Sequence, residues 1–212
     1  ITSLLARYLR SLGRSVAALK PVGSGVRDDA RALHAALGGA LSLDEINPWH
    51  FRASLAPLLA ARLERRKVTK AQVVAHIRRM ARRFEIVLVE GAGGPLSPLG
   101  EKFDSRDLIV ALRATPLVVA PNRLGAVNQV RLVLAALPAA AARRAEVVLV
   151  NPRRPDPASR SNPGLLAEFV PARRLHALPW LEPDQIEGRK PPGPAARKIL
   201  DRLAQALLGV MT

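Results

Sequence analysis

Apolar positions follow two rhythms along this chain, and the rhythms alternate. At Ile1, Leu4, Leu5, Tyr8, Leu9 and Leu12 they fall three and four apart, one face of a helix, and Gly13 supplies a stop. From Ser15 to Val22 the helical spacing gives way to a strand pattern. The helical rhythm returns over Arg27 to Leu37, ending at Gly38-Gly39, and over Ser54 to Arg66, with Pro57 in the first turn. Asn47-Pro48 predicts a turn between them. Thr69 is a predicted cap for a helix over Lys70 to Arg83. Strands are predicted over Glu85 to Val89, Thr115 to Ala120, Glu146 to Asn151 and Arg174 to Leu178. Helices are predicted from Asp104 or Ser105 to Leu112 or Arg113, from Gly125 to Leu137, from Asn162 to Phe169 and from Ala195 to Leu208. Strands alternating with amphipathic helices predict an α/β fold, a doubly wound and mostly parallel sheet with helices on both faces. The Val/Leu/Ile-rich strands fit burial on both sides. No repeat and no second domain is visible, so one domain over residues 1–212 is expected.

Composition narrows this picture. Apolar residues make up 49% of the chain and aromatic residues 3%, so a globular chain with an aliphatic core is expected. Cysteine is absent, which removes disulfides, thiolate-bound zinc and thiol catalysis, and fits a cytoplasmic protein. No apolar run approaches the ~18 residues of a membrane span, and no signal sequence is visible, so no membrane association is expected. The formal charge is +16. A nucleic-acid surface would concentrate basic residues and interleave them with aromatic rings. Here Arg62, Arg65, Arg66, Arg78, Arg79, Arg82 and Arg83 lie mostly at helical spacings opposite the apolar positions. A solvated arginine-rich surface accounts for that pattern, and nucleic acid is not an expected partner.

Chemistry concentrates where predicted strands end. Val87-Leu88-Val89 runs into Glu90 and the loop Gly91-Ala92-Gly93-Gly94. In open α/β sheets ligands bind at such carboxyl edges, and glycines let backbone N–H groups come close to an anion. Upstream, Val16 to Leu19 runs into Lys20-Pro21-Val22-Gly23-Ser24-Gly25. Lys20 reads as a point charge for phosphate or as a surface lysine ending a strand. Ser24 reads as a ligand hydroxyl or a turn residue. Asp28 and Asp29 open a predicted helix, where an acid complements the helix dipole. With Glu90, Asp29 also forms a carboxylate pair from two strand-to-helix edges, a common way of holding Mg²⁺ beside a nucleotide. Asn151 ends a third strand, where an amide can read an adenine edge. The four histidines show no metal-ligand spacing.

Taken in order, Lys-Pro-Val-Gly-Ser-Gly, Asp29 at a helix start, Asn47-Pro48-Trp49, Val-Glu-Gly-Ala-Gly-Gly, Leu-Gly-Ala-Val-Asn, Val-Asn-Pro and Leu-Pro-Trp-Leu closely resemble the dethiobiotin synthetase family. The similarity runs from Ile1 to about Leu181. It implies a P-loop NTPase-like fold and an ATP-dependent, Mg²⁺-requiring ligase of biotin biosynthesis. The implied substrates are 7,8-diaminopelargonate and CO₂, joined and closed to dethiobiotin with release of ADP and phosphate. A homodimer is also implied. By matching position, Lys20 is the expected catalytic lysine and Ser24 the substrate-binding serine. Asp29 and Glu90 are the expected metal carboxylates at the nucleotide. Gly91, Ala92 and Gly93 form the loop beside the phosphates. Asn151 is the expected adenine reader, followed by Pro152, with Pro179, Trp180 and Leu181 packing on the base.

One departure stands out. The family pattern opens with a strand and a Gly-x-x-x-x-x-Gly-Lys-Thr loop, and these residues contain neither. The missing loop would supply phosphate donors and a metal-binding hydroxyl. The expectation is that the sequence is N-terminally truncated and that this piece alone binds ATP poorly. Two alternatives stand beside the enzyme reading. One is a non-catalytic paralogue that binds ligand without ATP chemistry. The other is a related P-loop amidoligase such as a cobyrinate amidase synthetase domain, although those carry a glutaminase domain with a nucleophilic cysteine.

Overall fold

Two compact units make up the computed structural model, residues 1–114 and the chain from Thr115 onward. The structure describes residues 1–209.

The first unit opens with helix α1 (Thr2–Ser11), whose Leu4, Leu5 and Leu9 are buried, and Gly13 turns the chain at positive φ. Strand β1 (Val16–Leu19) follows with all four residues buried. The predicted strand over Ser15 to Val22 is in fact two strands. Pro21 has no N–H to give a ladder, and the Lys20 N–H goes to the Ile46 carbonyl instead. The chain resumes as β2 (Val22–Ser24) with a different partner. Next come α2 (Asp28–Ala36), the short α3 (Leu43–Ile46) and β3 (Trp49–Phe51), which pairs in parallel with β2. Neither α3 nor β3 was expected. A Ser42/Glu45 capping box starts α3, satisfying backbone donors that a four-residue turn would otherwise leave open.

Helix α4 (Pro57–Leu63) is shorter than the predicted Ser54 to Arg66, since Pro57 fits only in a first turn and so sets where the helix starts. Helix α5 (Lys70–Ala81) begins at Thr69 as expected, with Gln72 completing a capping box. Strand β4 (Ile86–Val89) pairs in parallel with β1, Val16 opposite Ile86 and Leu19 opposite Val89. A small antiparallel hairpin, β5 (Pro98–Gly100) with β6 (Phe103–Asp104), leads into α6 (Ser105–Leu112), capped by Asp104. The core is largely aliphatic, with Leu5, Leu9, Leu19, Leu33, Met80 and Leu99 fully enclosed, and Phe51 and Phe103 add buried rings.

The second unit is a three-stranded parallel sheet in the order β7 (Leu117–Pro121), β8 (Glu146–Val150), β9 (Leu175–Leu178). Helices α7 (Ala126–Ala136) and α8 (Ala139–Ala142) connect β7 to β8. Helix α9 (Pro157–Ala167) connects β8 to β9, and α10 (Pro183–Ile186) and α11 (Pro194–Leu208) follow. Helix α9 starts five residues before the predicted Asn162. Asp156 caps it with Ser159, and Pro157 takes the first turn, so the Pro/Arg-rich stretch is a helix start rather than a loop throughout. Pro163 therefore lies inside the helix. No helix of the described residues is long and apolar enough to cross a membrane.

Candidate active site

Lys20 stands at the break between β1 and β2, and the break is what aims it. Its carbonyl accepts a 2.7 Å hydrogen bond from Asn47 Nδ2, and Asn47 is itself buried. Arg27 Nε in turn donates to Asn47 Oδ1 at 3.2 Å. The backbone of Lys20 is thus tied at both its N–H and its C=O while the side chain is free to reach outward.

The Lys20 ammonium meets two carboxylates. It lies 2.7 Å from Asp29 Oδ2 in the first turn of α2 and 3.0 Å from Glu90 Oε1 at the end of β4. It also donates to the Gly91 carbonyl at 3.3 Å. Glu90 is held in register by its own N–H, which gives a 2.7 Å bond to the Leu19 carbonyl. Burial works against the ammonium charge, but the bonds to Asp29 and Glu90 outweigh it. The group is held above the ordinary lysine value of 10.5. The two carboxylates thus favour the charged form of Lys20.

The structure distinguishes the two neighbouring acids. Asp29 faces Lys20, while Asp28 turns to Arg31 at 2.9 Å on the exposed side. Asp29 is more than half exposed and Glu90 about one-third, so both keep oxygens open to solvent. Among the described residues no group of three or more His, Cys, Asp or Glu side chains converges as a metal cage. Two carboxylates with water-accessible oxygens suit Mg²⁺, which keeps several of its waters.

The glycine loop is shaped by close contacts. A Cβ on Gly91 would sit 2.7 Å from Ser105 Oγ, and one on Gly93 2.5 Å from Ser97 Oγ, with Gly93 at φ +74. The Gly94 N–H is spent on Ser97 Oγ at 3.0 Å. Ala92, between them, is part of the same turn. Ser24 ends β2, and its hydroxyl donates to the Leu55 carbonyl at 2.5 Å. Its oxygen retains lone pairs for an amine but is absent from the contacts around Lys20. A separate open depression of about 570 Å³ is lined by Leu58, Arg62, Arg66, Lys67, Thr69 and Glu101, among others. None of the Lys20, Asp29 and Glu90 group lines it.

In the second unit Asn151 and Pro152 follow β8, and Pro179, Trp180 and Leu181 follow the neighbouring β9. The Asn151 N–H bonds the Leu178 carbonyl at 2.9 Å, tying the two strand ends together. Trp180 is 45% exposed, while Leu181 is buried. One residue escaped the sequence reading. Asn122, just past β7, is 1% exposed and donates to Asn151 Oδ1 at 2.8 Å. A signal was present: two apolar strands each end in Asn beside Pro, as Pro121-Asn122 and Asn151-Pro152.

Comparison with known proteins places this geometry. A family model described as an AAA domain matches residues 1–185. The chain is 42% identical over 183 residues to the ATP-dependent dethiobiotin synthetase of Anaeromyxobacter sp. (strain Fw109-5), covering 84% of this chain and 82% of that protein. It is 34% identical over 179 residues to the enzyme of the same name from Akkermansia muciniphila, covering 84% of each. The MinD cell division protein of Aquifex aeolicus shares the fold at a TM-score of 0.51 and 16% identity, over 98% of this chain and 91% of that one. The fold is thus α/β and P-loop NTPase-like.

Proposed function

The chain belongs to the ATP-dependent dethiobiotin synthetases, and from that membership we propose how its own residues divide the work. The enzyme is a cyclo-ligase of biotin biosynthesis with ATP as co-substrate. Its proposed substrates are 7,8-diaminopelargonate and CO₂. One amine adds to CO₂ and loses a proton, giving a carbamate. The carbamate oxygen attacks the γ-phosphorus of ATP, and ADP leaves. The second amine then attacks the carbamoyl carbon, phosphate departs, and the ureido ring is closed.

Each step gathers negative charge, on the carbamate, on the transferring phosphoryl group and on the departing phosphate. The observation that carries the reading is the Lys20 ammonium, fixed by Asp29 at 2.7 Å and Glu90 at 3.0 Å at a sheet edge. A preorganised cation stabilises such charge without reorganising during the reaction. Asp29 and Glu90 are the residues that would hold Mg²⁺. When bound, that ion supplies charge neutralisation at the triphosphate. Gly91, Ala92 and Gly93 leave room beside the carboxylates for phosphate oxygens. Ser24 offers its hydroxyl oxygen to a substrate amine. Asn151 reads the adenine edge, and Pro152 with Pro179, Trp180 and Leu181 forms an apolar seat for the base. A homodimer working in the cytoplasm belongs to the same proposal.

The test is incorporation of labelled CO₂ by the full-length protein. Label should enter diaminopelargonate only when ATP and Mg²⁺ are both present. Absence of incorporation at saturating substrates would sink the proposal.

A further inference from the structure

We infer that Asn122 is a specificity-determining residue, which locks the Asn151 side-chain amide in the one orientation that accepts adenine and refuses guanine. The inference rests on the reading of Asn151 as the base-contacting residue.

The argument begins with a proline. Pro163 lies inside α9 and has no N–H to give the carbonyl four residues earlier, that of Ser159. Ser159 is buried, and an unpaired buried carbonyl is costly. Asn122 Nδ2 donates to that carbonyl at 2.8 Å. A backbone carbonyl only accepts, so this contact decides which end of the Asn122 amide is nitrogen. A second carbonyl gives the same answer from the other side. Asn162 Nδ2 donates to the Arg123 carbonyl at 2.9 Å and, with its other hydrogen, to Asn122 Oδ1 at 2.9 Å. Two carbonyls thus polarise a chain of buried amides in one direction.

The remaining hydrogen of Asn122 Nδ2 goes to Asn151, at 2.8 Å. The atom that receives it must be an acceptor, so Asn151 presents Oδ1 to Asn122. Asn151 Nδ2 takes part in no hydrogen bond within the described residues, and Oδ1 keeps a second lone pair. Adenine offers an N6 amino donor beside the N7 acceptor, which a fixed Oδ1/Nδ2 pair matches in both positions. Guanine offers two acceptors, O6 and N7, and would set its O6 against Oδ1. A freely turning asparagine could rotate its amide to donate to O6. With Oδ1 committed to Asn122, that rotation would place two donors against each other and leave a buried group unpaired. Discrimination of this kind is the sort a hydrogen-bonding site achieves well.

The experiment compares kcat/KM for ATP and GTP in the full-length enzyme and in Asn122→Ser and Asn151→Ala variants, with melting temperature measured on each. For Asn122→Ser the ATP preference should fall about tenfold or more, the order of one well-made base contact, and the loss should appear in KM for ATP rather than in kcat. A merely structural Asn122 would lower the melting temperature and leave the ATP-to-GTP ratio where it was, and that result overturns the inference. If Asn151→Ala collapses the ratio but Asn122→Ser does not, base reading by Asn151 stands and the lock falls. If Asn151→Ala leaves the ratio unchanged, the reading of Asn151 itself is wrong. Should Asn122→Ser fail to fold, NMR of the wild-type complex with ¹⁵N-labelled ADP decides. A through-hydrogen-bond coupling from Asn151 Nδ2 to adenine N7 supports the lock. Asn151 signals that shift on binding without that coupling overturn it.

Discussion

Glu90→Gln removes one charge at nearly constant shape. Because Glu90 pairs with Lys20 and is a proposed ligand of Mg²⁺, turnover should vanish while the circular dichroism spectrum and melting temperature stay close to wild type. Near-normal activity would show that the carboxylate charge is not used. Lys20→Ala should lower kcat by ~10²-fold or more, the usual scale for losing a preorganised charge in the transition state. A change confined to KM would reassign Lys20 to ground-state binding. His76 offers a test of a different kind. Its Nε2 donates to the Glu45 carbonyl at 2.8 Å and its Nδ1 accepts from Arg79 at 2.9 Å, so the ring is neutral. Burial pushes it below the ordinary imidazole value of 6.5, the Glu45 carbonyl opposes this, and the Arg79 charge adds to it. The unfolded chain therefore takes the proton first. The stability this contributes is present above pH 6.5 and is lost as pH falls toward the depressed folded value. Urea unfolding at pH 7.5 and 5.5 should show that loss, and His76→Asn should reduce it. An equal pH slope in both proteins would count against this account.

At the scale of elements, caps and close approaches carry the predictions. Thr69 accepts from the Gln72 N–H, and Gln72 returns the bond to the Thr69 N–H. Thr69→Ala should destabilise the protein by about 1 kcal/mol in denaturant unfolding. Gly100→Ala should cost more, roughly 1–3 kcal/mol as an overpacked site, since a Cβ there would collide with the Phe103 ring and lie 2.6 Å from the Val68 carbonyl. These elements also show what could be read from the chain alone. The Lys20 and Glu90 edges were legible because a buried apolar run that stops abruptly at a charge marks a strand leaving the core. The break after Lys20 was not, since it depends on Ile46 claiming an N–H from far along the chain. Helix α3 is too short for a hydrophobic rhythm, and only its capping residues mark it. The start of α9 was masked by Pro157 and Pro163, which read as loop residues until Asp156 is seen to cap them. Asn151 was visible at a strand end. Asn122 also stands at a strand end, beside Pro121, but its part was not legible, because it depends on contacts between residues 29 to 40 positions apart.

For the whole molecule, the charge of +16 is a long-range repulsion that the fold must tolerate. Many of the arginines are held in exposed ion pairs, such as Arg62 with Glu101 and Arg83 with Glu45, but acids are outnumbered 17 to 33. Added salt screens the excess over about 10 Å at 0.1 M. The melting temperature should therefore rise between 0.05 and 0.5 M NaCl, roughly the range in which that screening takes effect. A flat or falling curve would mean that the surface charges are already balanced by their neighbours. The same excess gives anionic substrates an attractive field, so kcat/KM for ATP should decline over that salt range while kcat holds.

Pro163 touches no proposed ligand and would be passed over in any survey of binding positions. Yet the carbonyl it leaves without a helical partner is one of the two that set the direction of the Asn122 and Asn151 amides. Drift at such a position would be silent in a catalogue of contact residues and audible in the choice of fuel. Relatives that keep Asn151 but replace this proline, or Asn122, are where a change of triphosphate should be sought first.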